Sequence, residues 1–177
     1  TDAALTILAI SAGIIGGLFI GGTGLPLTAT TDAIPLWLDV LAAAVLAMCY
    51  PVYFSMPLRT FGWAFLAGGL AHAAHWVALT WWNWNAPASS LLACLVVGGL
   101  LTPVCHSRHI PFAGAGFAAV VALVPGVYLF RAAAGTLSLV GKAHAEAALE
   151  ATASDLATAV VIVLAMAVGL VVPHRIW

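Results

Sequence analysis

The sequence predicts an all-α membrane protein, a polytopic bundle of about six transmembrane helices in a single transmembrane domain over residues 1–177. The first observation is composition: of 177 residues, 64% are hydrophobic and 6% are charged. A soluble domain needs far more charge to solvate its surface, so lipid must contact most of this one. The second observation is that the apolar residues fall in stretches of roughly 20, the length that crosses the hydrocarbon core of a bilayer.

Six apolar stretches follow one another along the chain, at residues 4–25, 34–55, 61–80, 88–104, 111–135 and 156–172. The breaks between them contain prolines and polar residues that are typical of loops, among them Pro26, Pro57 and Pro87. The segment 136–155, before the last stretch, is longer and Ala-rich with spaced polar residues. It is expected to form either an interfacial helix or a long extension of the last span.

The first stretch carries two overlapping GxxxG steps, formed by Gly13, Gly17 and Gly21. Small residues four positions apart share one face of a helix and let another backbone approach closely. This pattern predicts tight packing against a partner helix, in this chain or in another one. The alternative is that these glycines reflect only the general frequency of glycine in membrane helices.

The third stretch places two histidines near the middle of a span. Gly68, His72, His75 and Leu79 are spaced so that they form one stripe along the helix. An ionisable residue in a span is costly and usually faces the bundle interior or a water-filled cavity. Because histidine titrates near neutral pH, His72 and His75 are candidates for proton coupling. The alternative is that each ring only forms a hydrogen bond to a neighbouring helix.

The fifth stretch is expected to be broken at Pro125-Gly126, about halfway along its length. Pro125 has no amide hydrogen, so the carbonyl of Val121 loses its helical partner. Broken helices of this kind form binding sites in many transporters, because the start of the second half-helix favours a carboxylate. We therefore expect Pro125, Gly126, Tyr128 and Arg131 to bind substrate, with Arg131 pairing with a carboxylate. The alternatives are a simple kink and an Arg131 that snorkels to the interface.

Asp155 precedes the last stretch directly. The favoured interpretation is an N-cap of the last helix. The alternative is that Asp155 faces the cavity and pairs with Arg131, which would make it a third candidate for proton coupling.

The distribution of cations predicts the topology. With six spans, Arg59, Arg108 and Arg175 all fall on the side that holds both termini. The positive-inside rule then places both termini in the cytoplasm, in a bacterial-type cytoplasmic (inner) membrane.

Several function classes are not supported by the sequence. Five Lys and Arg residues are too few for a nucleic-acid footprint. No nucleophile–base, HExxH or phosphate-loop motif is present, so we expect no enzyme, no catalytic residues and no cofactor. Cys49, Cys94 and Cys105 form no ligand-spaced cluster, and we expect no metal site.

Two stretches resemble a known family. Residues 51–79 contain Pro57, Arg59 and Trp63, and residues 111–137 contain the Val-Pro-Gly break followed by Arg131. In order and spacing, residues 40–172 resemble the C-terminal membrane domain of the threonine/serine exporter family. They also resemble the small subunit of the two-component succinate exporter of the same family, in which this domain occurs as a separate chain.

The resemblance implies export of small amino acids such as threonine and serine across the lipid bilayer, coupled to the proton gradient. It also implies a partner, an N-terminal exporter domain or subunit, and is compatible with a homo-oligomer. Residues 34–177 would be the exporter-like core, and the first helix, residues 1–27, would belong to an upstream half. The alternatives are an exporter subunit for a dicarboxylate such as succinate and a non-transporting membrane assembly subunit.

Overall fold

The computed structural model describes residues 35–140 and 145–176, and over these residues the regular structure is helical. The helices are α1 (Leu36–Tyr53), α2 (Phe61–Thr80), α3 (Ala86–Arg108), α4 (Phe112–Val120), α5 (Gly126–Val140) and α6 (Ala145–Ile176). Short 3₁₀ turns at Leu58–Thr60 and Val121–Leu123 precede α2 and follow α4. The predicted all-α class is confirmed over this part of the chain. The predicted first span, with Gly13, Gly17 and Gly21, lies outside the described residues.

Three of the described helices are long and apolar enough to cross a membrane: Leu36–Tyr53, Ala86–Arg108 and the part Ala148–Ile176 of α6. A fourth span results if Phe112–Leu123 and Gly126–Thr136 together form one broken span. Helix α2 has 20 residues but is not one of these three, since its two histidines and two tryptophans lower its mean hydropathy. The number of six spans therefore stays a prediction.

The described residues form two compact units. One unit contains Pro125–Val160, and the other contains residues 35–124 and 161–176. Within the larger unit, α2 is packed through a row of alanines that are 0% exposed: Ala64, Ala67, Ala71 and Ala78. The polar residues of α2 are therefore placed among protein neighbours, which explains how a helix of modest hydropathy fits an apolar bundle.

Glycines set the closest helix contacts in this larger unit. A Cβ on Gly68 of α2 would overlap the Cβ of Ala47 on α1 and would lie 3.6 Å from the carbonyl oxygen of Ala119 on α4. A Cβ on Gly98 of α3 would lie 3.0 Å from the carbonyl oxygen of Gly169 on α6. Close backbone approach through small residues is the usual packing mode of membrane helices, where lipid offers no hydrophobic driving force.

Helix α6 settles the alternatives for the segment 136–155. It runs without interruption over 32 residues, from Ala145 to Ile176. At 1.5 Å per residue this is about 48 Å, well beyond a hydrocarbon core of about 30 Å. The second half of that segment is therefore an extension of the last span, as one of the two alternatives predicted.

Candidate functional site

The predicted break in the fifth stretch is present between α4 and α5. Helix α4 ends at Val120, the turn Val121–Leu123 follows, and α5 begins at Gly126. Pro125 has no amide hydrogen to donate to the carbonyl of Val121. This carbonyl instead accepts a hydrogen bond from the Val124 amide at 3.2 Å. The chain thus replaces the lost helical bond with a tighter 3₁₀ bond, and this carbonyl is not left without a donor.

The start of α5 presents amide hydrogens. Its first backbone bond of the α type runs from the Leu129 amide to the Pro125 carbonyl, at 3.2 Å. The amides of Gly126, Val127 and Tyr128 come before that bond and have no intrahelical acceptor. These groups give the start of a helix its affinity for negative charge.

Arg131 lies on the second turn of α5 and forms an ion pair with Asp155 of α6. Its Nε is 3.2 Å from Oδ2 of Asp155. The Asp155 side chain is 10% exposed and that of Arg131 is 39% exposed, so the carboxylate is the more buried partner. The guanidinium carries four further N–H donors on its terminal nitrogens, which can bind a second carboxylate.

The N-cap interpretation of Asp155 is wrong. Helix α6 begins at Ala145, so Asp155 lies well inside it rather than at its start. The reason is the Ala-rich sequence before Asp155, since alanine has the highest helix propensity and extends the helix toward its N-terminus. The alternative interpretation, pairing with Arg131, is the one the structure shows.

The ion pair lies next to a close contact between the same two helices. A Cβ on Gly135, one turn after Arg131, would overlap the hydroxyl oxygen of Thr152. That hydroxyl donates to the carbonyl of Ala148 at 2.7 Å, which fixes its position. Thr152, Asp155 and Ala159 are all buried and form one stripe along α6. The packing at Gly135 therefore sets how near α6 brings its carboxylate to α5.

Two further residues that were predicted to bind substrate, Pro125 and Tyr128, lie near the start of α5. Pro125 is buried and Tyr128 is half-buried. Tyr128 is three residues before Arg131, so the two side chains lie on neighbouring faces one turn apart. All four predicted residues thus fall within the first two turns of α5 and the residue before it.

A second polar cluster lies in the larger unit. Nδ1 of His72 on α2 is 3.0 Å from Oδ2 of Asp39 on α1, with side chains 12% and 28% exposed. The rings of His72 and His75 are 6.4 Å apart, centre to centre. Nε2 of His72 and Nδ1 of His75 are both buried without a hydrogen-bond partner in the described part of the chain. Two ring nitrogens in this cluster therefore have hydrogen-bonding capacity that no described residue uses.

Asp39 was missed by reasoning from the sequence. The signal was available, since Asp39 falls inside the apolar stretch 34–55 and an acid within a span is a candidate functional residue. Its partner could not be read from spacing, because the contact depends on how α1 and α2 pack. As for metals, no group of three or more His, Cys, Asp or Glu within the described residues is placed to hold an ion.

Apolar helices of membrane length that carry ion pairs and half-buried histidines define a helical membrane protein with charged groups inside its bundle. The sequence assigns it further: the family described as Threonine/Serine exporter, ThrE matches residues 39–176. The chain belongs to this threonine/serine exporter family, as the resemblance indicated, and it is a membrane transporter of exporter type. No solved structure gives a significant match to the chain.

Proposed function

We propose that this chain exports small amino acids such as threonine and serine, that its transport is coupled to the proton gradient, and that Arg131 and Asp155 bind the substrate. The observation that carries the proposal is the ion pair of 3.2 Å between these two side chains. It is supported by the break at Pro125. The helix that begins after this break, at Gly126, has Arg131 in its second turn.

The ion pair matches the charges of an amino acid. A free amino acid carries a carboxylate and an ammonium group close together at neutral pH. The carboxylate binds the guanidinium of Arg131, and the ammonium binds the carboxylate of Asp155. The substrate thereby inserts between the two side chains, and each charge keeps a partner of opposite sign throughout, which avoids the cost of leaving the buried Asp155 carboxylate unpaired.

The same geometry favours an amino acid over a dicarboxylate. One carboxylate of succinate would satisfy Arg131, but its second carboxylate would add negative charge near Asp155, which is 10% exposed. Like charges in a site of low solvent access repel each other strongly. The dicarboxylate alternative therefore gains no support from this site.

Coupling to protons follows from competition at Asp155. A proton on its carboxylate removes the negative charge that holds the substrate ammonium, so proton and substrate exclude one another. An exchanger requires that its two substrates, here the proton and the amino acid, bind to the same site one at a time. His72, paired with Asp39 at 3.0 Å, is the second candidate for a proton-exchanging group, and its neighbour His75 is the third.

The wider arrangement is part of the proposal. We propose about six spans in a bacterial inner membrane with both termini in the cytoplasm, and an N-terminal exporter domain or subunit as partner. A homo-oligomer is compatible with it. The competing hypothesis, a non-transporting assembly subunit, gives no reason for an ion pair inside membrane-length helices, since intramembrane charge is costly.

The proposal is tested by transport in proteoliposomes. Uptake of labelled threonine, serine and succinate is measured with and without a pH gradient, for this chain alone and together with an N-terminal exporter domain. We expect saturable transport of threonine and serine that the pH gradient stimulates. We expect Arg131→Gln to abolish it, because the substrate carboxylate loses its cation.

The matched control is Arg59→Gln. Arg59 lies in the 3₁₀ turn before α2 and is exposed, so its loss removes one cation without touching the proposed site. Equal transport by Arg131→Gln and Arg59→Gln would remove Arg131 from the site. No transport by the chain in either preparation would favour the assembly subunit instead.

A further inference from the structure

An open cavity of about 870 Å³ lies in the larger unit, where α3 and α6 end and α4 begins. Its lining includes three imidazoles and two hydroxyl side chains, from His106, His109, His174, Thr102 and Ser107. None of these residues belongs to the ion pair of α5 and α6 or to the histidine cluster of α2. The cavity is therefore separate from both, and it combines these polar groups with an apolar lining that includes Pro103 and Ile110.

The surroundings of the cavity are positively charged. Its lining contains no Asp or Glu. Arg108 and Arg175 are exposed in the last turns of α3 and α6, next in sequence to lining residues. The one acid among the described residues of this unit is Asp39, near the start of α1, and it is already paired with His72. The unbalanced charge at this end favours an anion.

Thr102 provides an independent indication of a ligand. It lines the cavity, is 5% exposed, and its hydroxyl oxygen is buried with no hydrogen-bond partner in the described part of the chain. In a membrane helix a threonine hydroxyl normally donates to a carbonyl one turn earlier. A buried hydroxyl without a partner is costly, and a ligand oxygen would satisfy it.

The donors are arranged for an oxyanion rather than for a metal ion. No group of three His, Cys, Asp or Glu in the described residues is placed to hold a metal. The His174 ring is fixed by stacking on Phe112, with centroids 4.6 Å apart and planes 11° from parallel. Phe112 is also the first residue of α4, whose free amides add positive potential, while the carbonyl ends of α3 and α6 are balanced by Arg108 and Arg175 in their last turns. Imidazole groups and the Thr102 hydroxyl thus line the cavity beside the start of α4, whereas the Ser107 hydroxyl already donates to the Val104 carbonyl at 3.2 Å.

We propose that this cavity binds a phosphate group, supplied by the headgroup of an anionic phospholipid. A tetrahedral phosphate has several acceptor oxygens that accept hydrogen bonds from different directions, which suits donors from α3, α4 and α6. The volume of about 870 Å³ accommodates a headgroup, and it far exceeds what a small carboxylate needs. The cavity lies at the ends of membrane-length helices, where basic pockets commonly meet lipid headgroups.

The test is a titration of the purified full chain in detergent, followed by calorimetry. Three probes are compared: short-chain phosphatidylglycerol, phosphatidylcholine of the same chain length, and inorganic phosphate. We expect phosphatidylglycerol to bind about tenfold more tightly than phosphatidylcholine, because only the former has net negative charge. Competition by millimolar inorganic phosphate would support the phosphate site and identify free phosphate as a second source of the ligand.

Variants connect binding to the cavity. The triple variant His106→Gln, His109→Asn and His174→Gln is expected to weaken phosphatidylglycerol binding about tenfold or more. Asparagine is chosen for His109 because this residue has a φ of 54°, which asparagine tolerates. Thr102→Val, an isosteric change, is expected to weaken binding about fivefold and to preserve the fold.

The control is Arg59→Gln, which removes an exposed cation that does not belong to the lining. It is expected to change binding less than about twofold, as exposed charges do. Equal binding of the two phospholipids would overturn the proposal, and so would unchanged binding by Thr102→Val and the triple variant. Displacement of phosphatidylglycerol by threonine would identify a carboxylate site instead. None of these readouts depends on transport.

Discussion

Arg131 on α5 and Asp155 on α6 are joined by a contact of 3.2 Å between Nε and Oδ2. The Asp155 side chain is 10% exposed, so water stabilises its negative charge poorly. Arg131 must therefore provide most of the electrostatic stabilisation of this carboxylate. The pair therefore links two consecutive helices and places opposite charges side by side. A zwitterion needs this combination of charges, and each side of the pair can be tested separately.

Reversing the pair separates its structural role from its role in transport. Arg131→Gln alone is expected to lower the free energy of unfolding by about 2 kcal/mol, below the range for fully buried pairs because Arg131 is 39% exposed. Arg131→Asp combined with Asp155→Arg is expected to recover most of this loss of stability. Transport is expected to stay absent, because the negative side chain would then lie on α5, whose start favours the substrate carboxylate. Thermal unfolding in detergent and threonine uptake measure the two effects. Uptake restored by the reversed pair would contradict an oriented substrate.

Close packing at Gly135 is expected to control the ion pair indirectly. In Gly135→Ala the new methyl group overlaps the hydroxyl of Thr152, so the Thr152 side chain must shift, and α6 with its Asp155 is pushed away from α5. Overpacking of this kind costs about 1–3 kcal/mol. Thr152→Ala removes the overlapping oxygen, and the double variant is expected to regain stability and uptake.

The measurement for Gly135 is a double-mutant cycle on thermal unfolding and on threonine uptake. Strong coupling between the two substitutions is the expected result, since residues in contact are not additive. Additive effects would show that the two positions do not touch in the working protein.

The contact between α3 and α6 offers a matched pair of glycines. A Cβ on Gly98 would lie 2.9 Å from Cγ of Pro173 and 3.0 Å from the carbonyl oxygen of Gly169, whereas a Cβ on Gly99 would meet nothing within 4 Å. Gly98→Ala is therefore expected to destabilise the protein by about 1–3 kcal/mol. Gly99→Ala is expected to be neutral or to stabilise by up to about 1 kcal/mol through helix propensity.

The two alanine variants of α3 are compared by thermal unfolding in the same detergent. They differ by one position on the same helix, so hydrophobicity and length of the span are unchanged. A lower melting temperature for Gly99→Ala than for Gly98→Ala would contradict the close approach of α3 to α6.

Local features of this fold were predictable from the sequence. Apolar stretches gave the helices, and the missing amide of Pro125 predicted the break that precedes α5. Arg131 could be singled out because a cation within a span is costly and rare. The long extension of the last helix was one of two alternatives, and the absence of a Ser, Thr, Asp or Asn cap around residue 144 left its start undefined.

Pairwise relationships were not predictable in the same way. Whether Asp155 caps a helix or meets Arg131 depends on where α6 begins, and Asp39 finds His72 only through the packing of α1 against α2. That packing is set at Gly68, whose missing side chain makes room for Ala47. Spacing along one helix indicates which residues share a face, but it does not indicate which face of another helix they meet.

The pair of Asp39 and His72 is expected to matter for proton coupling rather than for substrate binding. In the protein, Nδ1 of His72 is 3.0 Å from Oδ2 of Asp39. Asp39→Asn keeps a side chain of the same shape, whose amide oxygen can still accept a hydrogen bond from this nitrogen, but it removes the negative charge. We therefore expect Asp39→Asn and His72→Gln to retain exchange of labelled for unlabelled threonine, and to lose most of the stimulation by a pH gradient. Both activities are measured in proteoliposomes. Cys49→Ser on α1, an exposed position away from this pair, is the control and should keep both. Loss of exchange together with gradient-driven uptake would place the pair in the substrate site, whereas full retention of both would leave His72 as a packing residue only.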